Sequence, residues 1–534
     1  VTGLYLKSSA DPDHPEEKFA IPMTSTFNGP TLALLSDGTV QGWGNAGNYR
    51  LTGSYLGSVG TPSPICTDAY GSVLEGIVMV AAGGSHSLAL TKDGYVYAWG
   101  LNENGQTGTG AGETPYPTRV VRESDGAPLS GIVAIAAGHS HSLALDKDGN
   151  VWAWGRNTEG QLGIGTQVDA ARAVQVTGVK EVVQIAAAGI FSMALTADGY
   201  VYTWGDNANG QLGIGETASS VRYSLVPIRV SAAVAANVVE ISAGGGLPVT
   251  DQQGGTTDYG HAHILTVTPA TNNTAIYSWG VGTRGELGNN ASQNANAPVA
   301  VQWPNYGGVL NVAHLASGYN HTIAIARDGK AYAWGYNYYN QLGQGGNPQM
   351  HGEYYTVPQE IWGAQDENYF SQGTVDEIAG PVAGASAGSN FTVLWFRDGT
   401  VRAIGDNSNG YLGSNLVDSY GSTVPGLTGT EYKESLIFNK VWVYTQETDE
   451  NTGEIIPGSA VLTDRYASIP GMYLETDPVA LTIVEKQLPE VLTITDLQYI
   501  NIYKEGTSRY YQVGFNLSER DRASGYDMDL TPGE

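Results

Sequence analysis

One motif recurs seven times along this chain, and its repetition constrains the fold more than any other feature. The clearest copy, residues 141–155, reads His-Ser-Leu-Ala-Leu-Asp-Lys-Asp-Gly-Asn-Val-Trp-Ala-Trp-Gly, and the seventh copy ends in Ile404-Gly405. The first six copies end in Trp-Gly, at Trp43, Trp99, Trp154, Trp204, Trp279 and Trp334. A period of about 50 residues predicts a repeat architecture, and seven four-stranded units can close into a ring.

Each unit contains four segments with the character of β-strands. The first is a short apolar run that ends in small residues, such as residues 132–138. The second and third alternate in polarity and are joined by Asp-Gly, as at Asp148-Gly149, which is a strong hairpin signal because both residues tolerate positive φ. The fourth often carries proline, as at Pro117, and proline is tolerated on edge strands. The unit therefore predicts a four-stranded blade with the proline-bearing strand outermost.

The second segment begins at a recurrent position in all seven units, and histidine is common there. We place these starts at Pro30, His86, His141, Phe191, His263, His321 and Phe391. The fifth unit differs because a longer loop, residues 268–274, separates its two strands. Four histidines converging on a central axis would be able to hold a metal ion. Because proline and phenylalanine occupy the same position in the other units, we expect instead that each histidine hydrogen-bonds within its own blade, and we expect no metal or cofactor.

Three regions follow from where the repeat begins and stops. Residues 1–18 are predicted to be a linker or the end of a preceding domain, and residues 19–429 a seven-bladed β-propeller. From residue 430 onward the alternation changes, which favours a smaller β-sandwich-like domain over residues 430–534. The alternative is that some of these later strands complete the last blade.

Charge and motif content exclude several classes of function. With 25 basic and 52 acidic residues the net charge is −27, which opposes binding to the phosphates of nucleic acid. No segment approaches the roughly 18 consecutive apolar residues of a membrane span. The chain also lacks a nucleophile elbow, a phosphate-binding loop and a zinc signature. We therefore predict that the protein is not an enzyme and has no catalytic residues, and that its partners do not include nucleic acid.

The complete unit resembles the regulator-of-chromosome-condensation repeat. Small residues precede His-Ser-Leu-Ala-Leu, then follow Asp-Gly, Val-Tyr-Ala-Trp-Gly and Asn-x-x-Gly-Gln-Leu-Gly, whose last four residues are intact at 160–163 and 210–213. The resemblance covers about residues 19–425 and implies an all-β fold, a seven-bladed β-propeller. The namesake of the repeat is a nucleotide-exchange factor that binds chromatin, but none of its functional residues can be matched here. Other proteins that share the repeat include secreted bacterial inhibitors of β-lactamases and bacterial surface-binding scaffolds, and this composition is most similar to the last group.

Function is expected where the repeat breaks, at residues 216–262, 336–340 and 346–390, because loops on a rigid scaffold commonly carry binding residues. Aromatic side chains dominate interfaces, so the candidate ligand-binding residues are Tyr336, Tyr338, Tyr339, Tyr354, Tyr355 and Trp362. The alternative is that these rings only cover the small core of the enlarged loop.

The favoured function is a non-catalytic, adhesin-like binding module. We expect it to be extracellular or at a bacterial cell surface, and to hold a protein or glycan ligand on one propeller face. One alternative is an enzyme inhibitor resembling the repeat-built β-lactamase inhibitors. Another is a hydrolase or lyase with buried carboxylates in the central pocket.

Overall fold

The computed structural model describes most of the repeat region and several shorter segments of the C-terminal region. The described residues are 20–24, 29–35, 38–53, 57–216, 220–231, 237–246, 249–250, 256–257, 260–268, 273–304, 311–343, 354–363, 373–374, 381–396, 401–413, 434–440, 443–448, 455–463, 494–505 and 508–517. Within them the fold is all-β, and the helical element is one 3-10 turn, Gly47–Tyr49.

Seven four-stranded antiparallel sheets follow one another along the chain, and we call them blades 1 to 7. The first, innermost strands are Ala20–Thr24, Ile77–Ala82, Ile132–Ala137, Val182–Ala188, Val238–Gly244, Val312–Ser317 and Val382–Ala387. The second strands are Pro30–Leu35, His86–Thr91, His141–Asp146, Phe191–Thr196, His261–Thr268, His321–Ala326 and Phe391–Phe396. The third strands are Val40–Asn45, Val96–Gly100, Val151–Gly155, Val201–Asp206, Asn273–Gly280, Ala331–Tyr336 and Val401–Asp406. The outer strands are Ser58–Pro64, Thr114–Arg119, Ala170–Gln175, Tyr223–Arg229, Ala295–Ala300, Tyr354–Glu360 and Glu434–Lys440.

Two short hairpins interrupt this regular order. Val249–Thr250 pairs with Thr256–Thr257 between the first and second strands of blade 5. Trp362–Gly363 pairs with Gly373–Thr374 after the outer strand of blade 6. Both lie in regions where the sequence departs from the repeat.

The seven blades close into a ring, as the motif count predicts. The first strands of successive blades contact one another, and the first strand of blade 1 contacts that of blade 7. At this junction the Trp43 indole Nε1 donates a hydrogen bond to the main-chain oxygen of Tyr411 at 2.9 Å. The rings of Phe391 and Tyr411 stack beside it with centroids 4.9 Å apart. Because each of these two blades takes all its strands from one stretch of chain, side-chain packing, not strand exchange, closes the ring.

The outer strand of blade 7 corrects the predicted end of the propeller. Glu434–Lys440 pairs with the third strand of that blade, with Ala403 opposite Asn439 and Gly405 opposite Ser435. The propeller therefore extends beyond residue 429. The alternative prediction was that some of the later strands complete the last blade, and this strand does so. A long connection after residue 413 separates the strand from its hairpin, so local pattern alone did not assign it.

The remaining C-terminal strands form two hairpins. Val443–Thr448 pairs with Ile455–Thr463, and Ile494–Glu505 pairs with Ser508–Leu517. A β-sandwich-like arrangement of this region stays a prediction. Residues 1–18, the predicted linker, lie outside the described residues.

The tryptophan of the motif is the contact between blades. Trp154 is fully buried, and its indole Nε1 donates to the main-chain oxygen of Gln106 in the preceding blade at 3.0 Å. The other five tryptophans of the motif make the same bond to the preceding blade in the ring. The glycine that follows has positive φ, 101° at Gly155, where a Cβ would meet the main-chain oxygen of Ser140. Trp-Gly thus recurs along the chain because the tryptophan fills the space between two sheets and the glycine allows the main chain to approach closely.

The recurrent histidines also bind across blades, so the prediction of bonds within one blade is wrong. His86 Nε2 lies 2.7 Å from Ser142 Oγ in the next blade, and that hydroxyl donates to the oxygen of Gln106 at 2.9 Å. Because the hydroxyl proton is already used, His86 Nε2 must donate. Burial first of all, and then nearby positive groups, lowers the pKa of His86 to about 3, so the ring is neutral at ordinary pH. His141 with Ser192 and His321 with Thr392 repeat the arrangement.

The register of the fifth blade differs from the prediction. His261 pairs with Gly280, just as His86 pairs with Gly100, so the recurrent position is His261 and not His263. The second strand of this blade, His261–Thr268, is longer than its counterparts, and counting back from its loop misplaced the start. His263 instead occupies the fully buried position that Leu88 holds in blade 2.

The histidine–hydroxyl pair gives a first testable prediction. Ser142→Ala should lower the free energy of unfolding by about 1–3 kcal/mol, because it leaves the His86 N–H buried without an acceptor. In blades 4 and 5 the chain places Phe191 and Ala262 at the same two positions, packed in one cluster. The double variant His86→Phe/Ser142→Ala should therefore regain much of the loss in a urea unfolding series. Additive losses would show that the pair is not coupled.

Candidate functional site

The third strand of blade 6 and the loop after it carry most of the predicted site. The strand ends at Tyr336, and Tyr336 pairs with Tyr354 at the start of the outer strand, so both side chains lie on one face of the sheet. In the loop, Asn337 Oδ1 accepts from the N–H of Leu342, and Gln341 Oε1 accepts from the N–H of Tyr339, both at 3.0 Å. These bonds fix the loop that presents the tyrosines.

The same loop frame recurs in other blades with different side chains. In blade 3, Asn157 Oδ1 accepts from the N–H of Leu162 and Gln161 Oε1 from the N–H of Glu159, each at 3.0 Å. The frame therefore belongs to the scaffold. The tyrosines of blade 6 are an addition to it.

Four of the predicted tyrosines form one group, in which Tyr338 and Tyr354 are exposed and the other two are half-buried. The rings of Tyr336 and Tyr338 are stacked, with centroids 6.2 Å apart and an angle of 8° between their planes. Tyr339 meets Tyr338 edge-on at 5.1 Å. Tyr338 is 54% exposed and Tyr354 40% exposed, which is unusual for large aromatic side chains in the described residues.

Arg284, which the sequence prediction missed, completes this group from the neighbouring blade. Its guanidinium carbon lies 4.6 Å from the centre of the Tyr336 ring, a cation–π arrangement. We call Arg284, Tyr336, Tyr338, Tyr339 and Tyr354 the tyrosine cluster. Arg284 stands in the blade 5 loop at the position that Tyr339 holds in blade 6, so alignment of the seven loops would have singled it out.

Two of the six predicted residues do not join the cluster. Tyr355 is half-buried and packs against the apolar core beside blade 6, and this burial raises its pKa. Its main chain lies opposite Gly335. Trp362 begins a short strand, but its side chain lies outside the described residues.

The central axis was the predicted site of the alternative hydrolase or lyase. The described inner strands carry one carboxylate, that of Glu240. Its Oε1 accepts from His314 Nδ1 at 2.8 Å and from the N–H of Leu315 at 3.2 Å. One carboxylate held in this way does not form the pair used in acid–base hydrolysis.

Among the residues that the structure describes, no group of three or more His, Cys, Asp or Glu side chains is placed to hold a metal ion. Over the same residues, no helix is long and apolar enough to cross a membrane.

The sequence matches families built on this repeat. The RCC1-like domain matches residues 22–250. The regulator of chromosome condensation (RCC1) repeat matches residues 275–325 and 328–395, and a second description of that repeat matches residues 312–341.

Two curated proteins illustrate the similarity. Human HERC2, an E3 ubiquitin-protein ligase, is 29% identical over 390 residues, which are 73% of this chain and 7% of HERC2. The ultraviolet-B receptor UVR8 of Arabidopsis thaliana is 29% identical over 308 residues, which are 57% of this chain and 62% of UVR8. The chain thus spans less than two thirds of the length of either relative.

A solved structure shares the fold. Prp20p from Saccharomyces cerevisiae, whose crystal structure was described together with its binding to Gsp1p and histones, superposes with a TM-score of 0.54 at 18% identity. The superposition covers 84% of this chain and 91% of the Prp20p chain. This chain therefore carries an RCC1-like domain and RCC1 repeats, which form a seven-bladed β-propeller.

Proposed function

We propose that this propeller is a non-catalytic, adhesin-like binding module of an extracellular or bacterial surface protein, and that the tyrosine cluster contacts its protein or glycan ligand. The observation that carries the proposal is the exposed Tyr338 stacked on the half-buried Tyr336, with the Arg284 guanidinium carbon 4.6 Å from the centre of the Tyr336 ring. Large rings that remain in water have not been used for folding, so their apolar area is available to a partner.

The geometry favours binding because the cluster is ordered before any ligand arrives. The Tyr336 ring contacts both Arg284 and Tyr338, and the bond from the Tyr339 N–H to Gln341 fixes the loop. Rings that are already positioned lose little conformational entropy on binding, which is how tyrosine contributes to recognition surfaces. The relatives support a binding or regulatory role, since Prp20p binds Gsp1p and histones.

The proposal is tested by a screen of immobilised glycans and proteins, with secreted hydrolases included among the proteins. We expect wild-type protein to bind a defined subset and the Tyr336→Ala/Tyr338→Ala variant to lose it. A matched control is Tyr223→Ala, since Tyr223 is an exposed tyrosine at the start of the outer strand of blade 4. Inhibition of one hydrolase without glycan binding would favour the inhibitor alternative. Absence of any ligand, or equal binding by the double variant, would refute the proposal.

A further inference from the structure

The interface between blades 5 and 6 differs chemically from the apolar interface between blades 2 and 3. Along the inner strands, Glu240 stands where blade 2 has Met79, and Ser242 stands where blade 2 has Ala81. In the second strand, His263 occupies the position of a leucine in blade 2. Polar and titratable groups thus replace apolar side chains in the packing between two sheets, where burying such groups is costly unless they are hydrogen-bonded or paired.

These polar groups form one chain of hydrogen bonds across the interface. The hydroxyls of Ser242 and Ser317 are 2.8 Å apart, and Ser317 Oγ lies 3.2 Å from His263 Nδ1. On the other side of the His263 imidazole, Nε2 lies 3.2 Å from the main-chain oxygen of Glu286 and 3.3 Å from Thr322 Oγ1. This series of hydrogen bonds therefore runs from the inner strands to the loop that carries Glu286 and Arg284.

Glu286 is a buried carboxyl group at a position where other blades have glutamine. One oxygen, Oε2, accepts from the N–H of Arg284 at 2.7 Å, as Gln161 Oε1 accepts from the N–H of Glu159. The other oxygen, Oε1, is fully buried and has no hydrogen-bond partner in the structure. Burial raises the pKa of Glu286 to about 7, against the smaller opposing effect of bonds to main-chain N–H groups and of Arg284.

A second titratable pair lies on the inner strands of the same two blades. His314 of blade 6 forms the ion pair with Glu240 of blade 5. Burial alone would lower the pKa of His314, but the charge and hydrogen bond of Glu240, with a bond to Ala385, raise it overall.

The other titratable groups near these two are accounted for. Arg284 shares the loop of Glu286. The ring centroids of His261 and His263 are 5.3 Å apart. The charge of His261 also lowers the pKa of His321, after the larger effect of burial. Burial holds the pKa of His263 well below its usual value and that of His321 at about 3, so neither ring titrates above pH 6.5.

The tyrosine cluster spans this interface. Arg284 belongs to blade 5, and the four tyrosines belong to blade 6. The stacking of the guanidinium on Tyr336 is a contact between the blades, so it depends on the two blades staying packed.

We propose that the interface of blades 5 and 6 is a pH-dependent seam, which loosens as the pH rises through neutrality and then separates Arg284 from Tyr336. The proposal rests on the proposed function for its biological meaning, because it describes regulation of the same site. Its physical basis is independent of any ligand.

The direction follows from the linkage between protonation and stability. The pKa of Glu286 is higher in the folded than in the unfolded protein. Its contribution to folding stability is therefore complete below about pH 4.5 and is lost as the pH rises through about 7. His314 also has a raised pKa, so its contribution is complete below about pH 6.5 and is lost at higher pH. Both losses fall on the same interface.

The test is hydrogen exchange of the wild-type chain at pH 6.5 and pH 8.5, corrected for the intrinsic exchange rate. Protection of Val238–Gly244 and Val312–Ser317 should fall roughly three- to tenfold more than protection of Ile77–Ala82 and Ile132–Ala137. The latter strands are the matched control, because they form the apolar interface of blades 2 and 3. Equal changes at the two interfaces would overturn the proposal.

Two variants assign the effect to its groups. Glu286→Gln restores the glutamine found at this position in other blades, so it should fold and should lose a large part of the pH response. His314→Gln, which places at blade 6 the residue that blade 4 has as Gln184, should remove the remainder. If both variants keep the wild-type response, the seam is not controlled by these groups. Because no ligand is used, a failed ligand screen would refute only the proposed function.

Discussion

Replacing Trp154 with alanine is expected to lower the free energy of unfolding by about 3–5 kcal/mol, the range for large aromatic side chains removed from a core. The indole is fully buried among apolar residues of blades 2 and 3, and its N–H donates to the oxygen of Gln106. The substitution therefore leaves a cavity between two blades and removes a hydrogen bond between them. Unfolding in urea, followed by circular dichroism, measures the loss.

The same strand provides a matched control. Trp152 lies two residues earlier, is only half-buried, and donates its N–H to Asp146 within its own blade at 3.0 Å. Trp152→Ala should cost less than half as much as Trp154→Ala, because little interblade packing is lost. Equal losses for the two variants would mean that the motif tryptophan is not the main contact between blades.

Replacing Tyr411 with alanine is expected to cost about 3–5 kcal/mol as well, but its effect should be local to the closure of the ring. Tyr411 is 1% exposed, stacks on Phe391, and accepts a hydrogen bond at its hydroxyl from Asn409 Nδ2 at 3.0 Å. Its main-chain oxygen receives the Trp43 indole. Burial, the largest effect, raises the pKa of its hydroxyl to about 12, so the ring stays neutral.

Hydrogen exchange separates a local opening from a general loss of stability. Protection in Val40–Asn45 and Val401–Asp406, the third strands on either side of the closure, should fall more than in Val201–Asp206 of blade 4. Tyr223→Ala, at an exposed site, should change stability by no more than about 0.5 kcal/mol. A uniform fall across all three strands after Tyr411→Ala would contradict packing as the means of closure.

The propeller could be predicted because its signals are local and repeated. Asp-Gly turns define six of the seven hairpins, and Trp-Gly marks the third strand of six blades. What failed depends on distant parts of the chain. The outer strand Glu434–Lys440 pairs across a long connection, and the partner of His86 lies in the next blade. Neither of these two contacts can be predicted from the pattern of the neighbouring residues in the sequence.

The grouping of the tyrosines could be predicted in part, because some of its signals are also local. Tyr336 and Tyr338 interrupt a polar loop, so they are visible in the sequence, and the structure stacks them. Arg284 belongs to another repeat and becomes a neighbour only when the blades pack. Tyr355 shows the converse, since an aromatic residue in the same segment turns toward the core.

The central claim, that the tyrosine cluster binds a ligand, is tested most directly by the affinity of single variants. The strongest ligand from the screen is titrated calorimetrically into wild-type protein, Tyr338→Ala and Tyr223→Ala. An aromatic residue at the centre of an interface contributes about 2 kcal/mol or more, so Tyr338→Ala should weaken binding by about thirtyfold while Tyr223→Ala leaves it unchanged. Equal affinity of wild-type protein and Tyr338→Ala would contradict the account.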